Sequence, residues 1–117
     1  MPKYDLEDRT AKFGIEIIKF VRSLPKNHLT LPILSQLVRS ATSIGANFCE
    51  VDDAESNKDL IHKLGICKKE ARETKHWLRM LAEAEPISKI KARVLWQEAK
   101  ELNVIFNSII IKLKNKT

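Results

Sequence analysis

The stretch that decides the fold is "LIHKLGICKKEARETKHWLRML", residues 60–81. Leu60, Leu64, Cys67, Ala71, Thr74, Leu78 and Leu81 fall at steps of four and three, with Lys, Arg, Glu and His between them. Side chains so spaced share one face of an α-helix, and a seam sustained over about three heptad repeats asks for partner helices to cover it. The seam opens after "DDAESN", where Ser56 and Asp59 are spaced as a capping box, with Asp in place of the usual Glu or Gln. It closes at "AEPIS", so a helix is predicted over about 57–84.

Working outward, residues from about Ser88 repeat the rhythm through Leu95, Ala99, Leu102, Phe106, Ile109 and Leu113, which predicts a helix over 88–114. Upstream, Leu34, Leu37, Val38, Ala41, Ile44, Gly45 and Phe48 make the stripe of a helix over 31–51, with Thr30 as a cap and Pro32 in its first turn. The first helix, 5–23, carries Leu6, Phe13, Ile17, Phe20, Val21 and Leu24, and "LPKNHLTLP" turns the chain after it. No strand pattern competes. Four amphipathic helices joined by short turns are expected to form an all-α, antiparallel up-down-up-down four-helix bundle spanning residues 1–117 as one domain.

Composition agrees with that class, since the chain is 44% hydrophobic and 31% charged with only three glycines and four prolines. The net charge of +6 is unevenly placed: residues 1–57 hold seven Lys/Arg against eight Asp/Glu, and residues 58–117 hold fourteen against seven. A basic second half points to a polyanion such as RNA or DNA, or to an acidic protein surface, while a solvated basic face is the plainer alternative. On the third helix Lys68, Arg72, Lys75 and Arg79 recur at steps of four, three and four. They form a stripe about 100° from the apolar seam that is able to run along phosphates. Lys69 and Glu73 are spaced to pair at i,i+4, which would make part of this face a salt-bridged surface instead.

The second helix is short of charge. From Leu29 to Cys49 the only charged residue is Arg39, and Ser35, Gln36, Ser40, Thr42, Ser43 and Asn47 occupy positions that usually hold Lys or Glu. Small polar side chains let another helix approach closely and hydrogen-bond across the contact. The expectation is a homo-oligomer interface on Gln36, Arg39, Ser40, Ser43, Asn47 and Glu50, with Arg39 and Glu50 as its ion pair.

Catalytic constellations are sparse. Glu73 and His76 form one Glu-x-x-His, but a bundle di-metal site needs a second on another helix, and Asp59 with His62 lies on the same one. No metal, cofactor or enzymatic activity is expected. Cys49 and Cys67 sit on or beside apolar stripes with no Cys-x-x-Cys spacing, as reduced thiols of a cytoplasmic protein would. Gly14, Gly45 and Gly65 lie singly within helices, either at close helix contacts or simply tolerated. The apolar run "VIFNSIII" is broken by Asn107 and Ser108 and too short to span a membrane.

"SQLVRSATSIGANFCE", residues 35–50, resembles the Q-L-x-R-S-A-x-S-I-x-A-N-x-x-E signature of the family that includes the bacterial 23S rRNA intervening-sequence proteins. The pattern falls on Gln36, Leu37, Arg39, Ser40, Ala41, Ser43, Ile44, Ala46, Asn47 and Glu50, and residues 4–20 and 55–81 are similar to the family's first and third helices. Val51 stands where many members have glycine, which extends the second helix slightly before the acidic turn. The resemblance implies an up-down bundle assembled into a ring-like homopentamer without established enzymatic activity. More remotely, through "HWLRMLAE" at 76–83, the chain is similar to accessory proteins of diversity-generating retroelements, basic pentameric bundles that bind nucleic acid and a reverse transcriptase. Two functional expectations follow, RNA binding by a self-assembling bundle or a scaffold subunit that docks a partner protein such as a reverse transcriptase.

Overall fold

A computed structural model describes residues 3–116. It contains four long helices, α1 (Lys3–Arg22), α2 (Thr30–Phe48), α3 (Asn57–Ala84) and α4 (Lys89–Asn115), and no strand among the described residues. Short 3₁₀ turns at Cys49–Asp53 and Pro86–Ser88 lead into α3 and α4.

Helix directions follow from cross-helix contacts. On α1 and α2, Thr10 meets Gly45 and Gly14 meets Thr42. On α3 and α4, Lys68 meets Asn107 and Lys75 meets Trp96. On α1 and α4, Arg9 meets Glu98 and Glu16 meets Lys91. In each pair one number rises as the other falls, so these neighbours are antiparallel, and α2 and α3 must then be antiparallel too. The result is an up-down-up-down bundle 48 × 22 × 20 Å in extent.

The four apolar stripes meet inside it. Ile17, Leu37, Ile44, Leu81, Leu102 and Phe106 have no exposed surface, and each fully buried side chain of this size contributes ~1.5–3 kcal/mol over its exposed state. Val21, Val38, Leu60, Ile109 and Leu113 pack only half-buried at the edges of the stripes, and Ile110 rather than Ile109 enters the core. Thr10 and Thr74 are buried polar members of the seams. Each hydroxyl bonds a carbonyl of its own helix, Thr10 to Glu7 O at 3.1 Å and Thr74 to Glu70 O at 2.8 Å.

The ends show why α3 matches its expected span while α2 does not. The Ser56 hydroxyl accepts the Asp59 N–H at 3.0 Å, and Asp59 accepts the Glu55 N–H at 3.1 Å, a reciprocal cap one residue offset from the usual box. Asp59 is held below the usual carboxylate range chiefly by that Glu55 bond. At α2 the cap is Asn27, not Thr30. The Asn27 side-chain oxygen accepts the N–H groups of Leu29 and Thr30 at 2.9 Å, while Thr30 is the first helical residue and its hydroxyl donates back to Pro25 O at 3.1 Å. The chain continues past Phe48 toward Val51, as the missing glycine implied, but as a 3₁₀ turn to Asp53. The Lys26 ammonium closes α1 by donating to the carbonyls of Val21 and Leu24 at 2.6 and 2.7 Å.

The three glycines divide between the two alternatives. A Cβ on Gly45 would lie 3.3 Å from the Thr10 hydroxyl, so α1 and α2 meet closely there, whereas a Cβ on Gly65 would meet nothing within 4 Å.

Candidate nucleic-acid interface

The helix geometry assigns each flank of α3 to a different neighbour. Glu70 and Glu73 lie toward α2, while Lys68, Lys75 and Arg79 lie toward α4. The expected basic stripe is therefore one wall of the α3–α4 seam. Arg72 is exposed beside it.

Along this seam each cation has a distinct setting. The Lys68 ammonium donates to the Asn107 side chain at 2.9 Å, and the Asn103 amide donates to the Lys68 carbonyl at 2.9 Å, so Lys68 helps fix α4 on α3. Lys75 lies 5.8 Å from the centre of the Trp96 ring and Lys100 lies 5.6 Å from it, both within cation–π range. Arg79 lines an open groove beyond Trp96, joined there by Lys89 and Arg93 from α4. Sequence reasoning missed Trp96, Lys89, Arg93 and Lys100. A signal existed, because Arg93, Trp96 and Lys100 recur at steps of three and four on α4, but joining them to α3 requires the register between helices.

The six residues expected at a subunit interface separate. Ser40 is fully buried against α3, within 3.0 Å of the Thr74 hydroxyl, and is not on an outer face. The Thr74 hydroxyl donates to Ser40 Oγ and shares its proton with Glu70 O at 2.8 Å, while the Ser40 hydroxyl donates to Leu37 O at 3.3 Å. Arg39 has partners within its own chain. It crosses to α3, with Nη1 3.3 Å from Glu70 and Nη2 2.5 Å from Glu73, and its Nε donates to Gln36 at 2.9 Å. This turn of α2 faces α3, and Glu50 lies beyond the end of α2 in the 3₁₀ turn. Glu73 is accordingly taken by Arg39 rather than by Lys69. Ser43 donates to Arg39 O at 2.6 Å and Asn47 to Ser43 O at 2.8 Å, both half-buried, and Gln36 and Glu50 are exposed.

The Arg39 hydrogen bond holds the Glu73 carboxyl below the usual range, and Glu73 in turn raises Arg39. Burial, with the neighbouring Glu73 charge, pushes Glu70 up. His76 is exposed and packs edge-on to Trp77, with ring centres 4.8 Å apart. Among the described residues no group of three or more His, Cys, Asp or Glu side chains is placed to hold a metal ion. No helix there is long and apolar enough to cross a membrane. Cys49 is an exposed free thiol, and burial pushes the Cys67 thiol up to about 12.

The fold and its faces define an all-α bundle whose α3–α4 seam gathers cations from both helices. The chain belongs to the 23S rRNA-intervening sequence protein family, whose model matches residues 3–108. It is similar to a solved protein of unknown function from the S23 ribosomal protein family of Bacteroides thetaiotaomicron. The two share 32% identity and a TM-score of 0.80 over 94% of this chain and 98% of that one. No curated protein matches.

Proposed function

We propose that this chain is a non-enzymatic, cytoplasmic bundle that associates with copies of itself and binds RNA through the α3–α4 seam. The observation that carries this is the convergence of cations from two helices, Lys75, Arg79, Arg93 and Lys100 among them, around a partly exposed tryptophan. The description of its family by an rRNA intervening sequence supports an RNA partner. Each phosphate neutralised releases counterions, so binding should weaken steeply with salt.

The test is binding to structured RNA and to duplex DNA across a salt series, for the wild type and for Arg72, Lys75, Arg79 and Arg93 changed together to Gln. Lys68 is left in place because it bonds α4. Loss of three or four phosphate contacts should reduce the log–log salt slope by roughly 2–3. Absence of wild-type binding at low salt, or an unchanged slope, refutes the reading.

A second reading, a scaffold subunit that docks a partner protein, is favoured by α4. Ile90, Val94, Val104 and Ile111 lie on its outer side, each at least half exposed, at steps of four, ten and seven that keep them on one face with polar Gln97, Glu101 and Ser108 between them. Copies of this chain, five by the family resemblance, would cover such a row, with Gln36, Ser43, Asn47 and Glu50 offering polar contacts on α2. Light scattering separates the two. A single monomeric mass at high concentration removes self-association and leaves the row for another protein.

A further inference from the structure

Between the ends of α3 and α4 lies an open groove of about 540 Å³, within the range of small-ligand sites and far too small for a duplex. Its apolar lining besides Trp96 is Leu78, Ala82, Ile90 and Ala92. Trp96 forms one wall, and Arg79, Lys89 and Arg93 stand around the opening. Lys75 and Lys100 flank the same ring. Glu83 is the one carboxylate in the lining, against those three cations.

An open recess with apolar side chains and a tryptophan in its lining can take a planar ring, and cations around its opening and beyond Trp96 fit an anion on either side of that ring. A nucleotide within a strand has this form, a π-face between two phosphates. Bases in a duplex are stacked on one another and cannot enter, whereas unpaired bases can be turned out and stacked on an aromatic side chain. We propose that this groove receives an unpaired base of single-stranded RNA against Trp96, with the flanking phosphates on the Arg79–Arg93 and Lys75–Lys100 sides. The inference rests on RNA binding at the α3–α4 seam and adds what the seam selects: single-stranded over paired RNA.

The experiment follows Trp96 emission in a Trp77→Phe background, because Trp77 lies half-buried outside the groove and is the only other tryptophan. The protein is titrated with a single-stranded RNA 12-mer, a duplex RNA of equal length, an abasic oligonucleotide of equal length and poly-glutamate. The single strand should quench Trp96 and bind roughly 5- to 150-fold more tightly than the abasic chain, the range set by one base–aromatic stack. Trp96→Leu, which leaves no tryptophan to report and is followed by the anisotropy of end-labelled oligonucleotides, should lower affinity for the single strand by a similar factor and leave the abasic chain and the salt slope unchanged. Ala82→Leu, which fills the groove and leaves Trp96 and every charge in place, should reproduce the loss and guards against a folding defect in the first variant.

Equal affinity for base-bearing and abasic chains overturns the base site while the basic seam stands. Failure of every polyanion at low salt overturns both. Quenching by poly-glutamate equal to that by RNA would assign the groove to an acidic peptide, and a change in emission on concentrating the protein alone would assign it to a second copy. Either of these results also overturns the proposal.

Discussion

Arg39 is the single charge on the longest uncharged stretch of the chain, and replacing it with Met should be costly in a pH-dependent way. Methionine keeps an unbranched apolar stem in place and removes only the guanidinium. The pair with Glu73 joins side chains 46% and 39% exposed, so it falls in the surface range of ~0.2–1 kcal/mol. The pair with Glu70 involves a carboxylate only 14% exposed and should lie at or above the top of that range. Removing Arg39 also leaves Glu70 and Glu73 three residues apart on α3 with no cation between them, a repulsion of ~0.3–0.5 kcal/mol. The total is about 1.5–2 kcal/mol at pH 7, or roughly 5–8 °C in Tm for a domain of this size.

Acid should erase that difference. Glu73, held below its ordinary pKa by Arg39, contributes stability that is present above the ordinary Glu value and lost as pH falls through its lowered one. Glu70, pushed up by burial, has the opposite sign: its contribution is present in acid and lost as pH rises through its raised value. In Arg39→Met the chief cause of the lowering at Glu73 is removed and Glu70 loses the one influence that opposed its rise. The variant should therefore gain on the wild type as pH drops from about 6 to below the Glu range near 4. Urea unfolding at fixed protein concentration, at pH 7 and pH 3, measures it. An unchanged Cm at pH 7, or a deficit of the same size at both pH values, would refute the account of Arg39 as the cross-helix clamp.

Three further outcomes are expected. Thr74→Val should destabilise by about 0.5–1.5 kcal/mol, and adding Ser40→Ala should cost less than the sum of the single changes, because the pair then leaves no lone hydroxyl between α2 and α3. Thermal unfolding of the four proteins reads the coupling, and full additivity would contradict the bond. Gly65→Ala should stabilise by about 0.5–1 kcal/mol, with open space at its Cβ, while Gly45→Ala should fall clearly short of it because its methyl crowds Thr10. Equal gains in Tm would show that α1 yields freely at this contact. Ellman's reagent at pH 8 should count one fast thiol, Cys49, and a second only after denaturation, since Cys67 is both buried and shifted to about 12. Two fast thiols in the native protein would mean that the centre of α3 opens readily.

The four stripes were legible because a four-three rhythm has one meaning on a helix, and Ser56 with Pro86 fixed α3 to its observed bounds. The change from α to 3₁₀ after Phe48 was not, since both coil similarly over five residues and the sequence differs only in where its hydrogen bonds close. Asn27 was hidden as a cap because Thr30 stands beside Pro32 and fits the simpler pattern. The uncharged face of α2 was visible as an oddity, but its explanation lay on another helix. Ser40 needs Thr74, and Arg39 needs Glu70 and Glu73, to show that part of the face is internal. The basic seam was half legible for the same reason, with Lys68 to Arg79 apparent on one helix and Trp96 placed among them only by packing.

The approach of α1 to α4 has a different character from the other helix contacts. It is the least extensive of the four neighbouring pairs, and polar clasps hold its rim. Arg9 grips Glu98 through two bonds of 2.8 Å and Glu101 at 3.0 Å, and Lys91 reaches Glu16 at 3.9 Å. These partners are separated by 75 to 92 positions along the chain, so the loop that closes them is nearly the whole molecule. Hairpin-like packing of α1 on α2 and of α3 on α4 involves far shorter loops and should form earlier. During synthesis, α1 must wait for residues near the far end to emerge before its last neighbour exists. The clasp is thus a latch thrown at the end of folding, and amide exchange should find α1 the first helix to lift away.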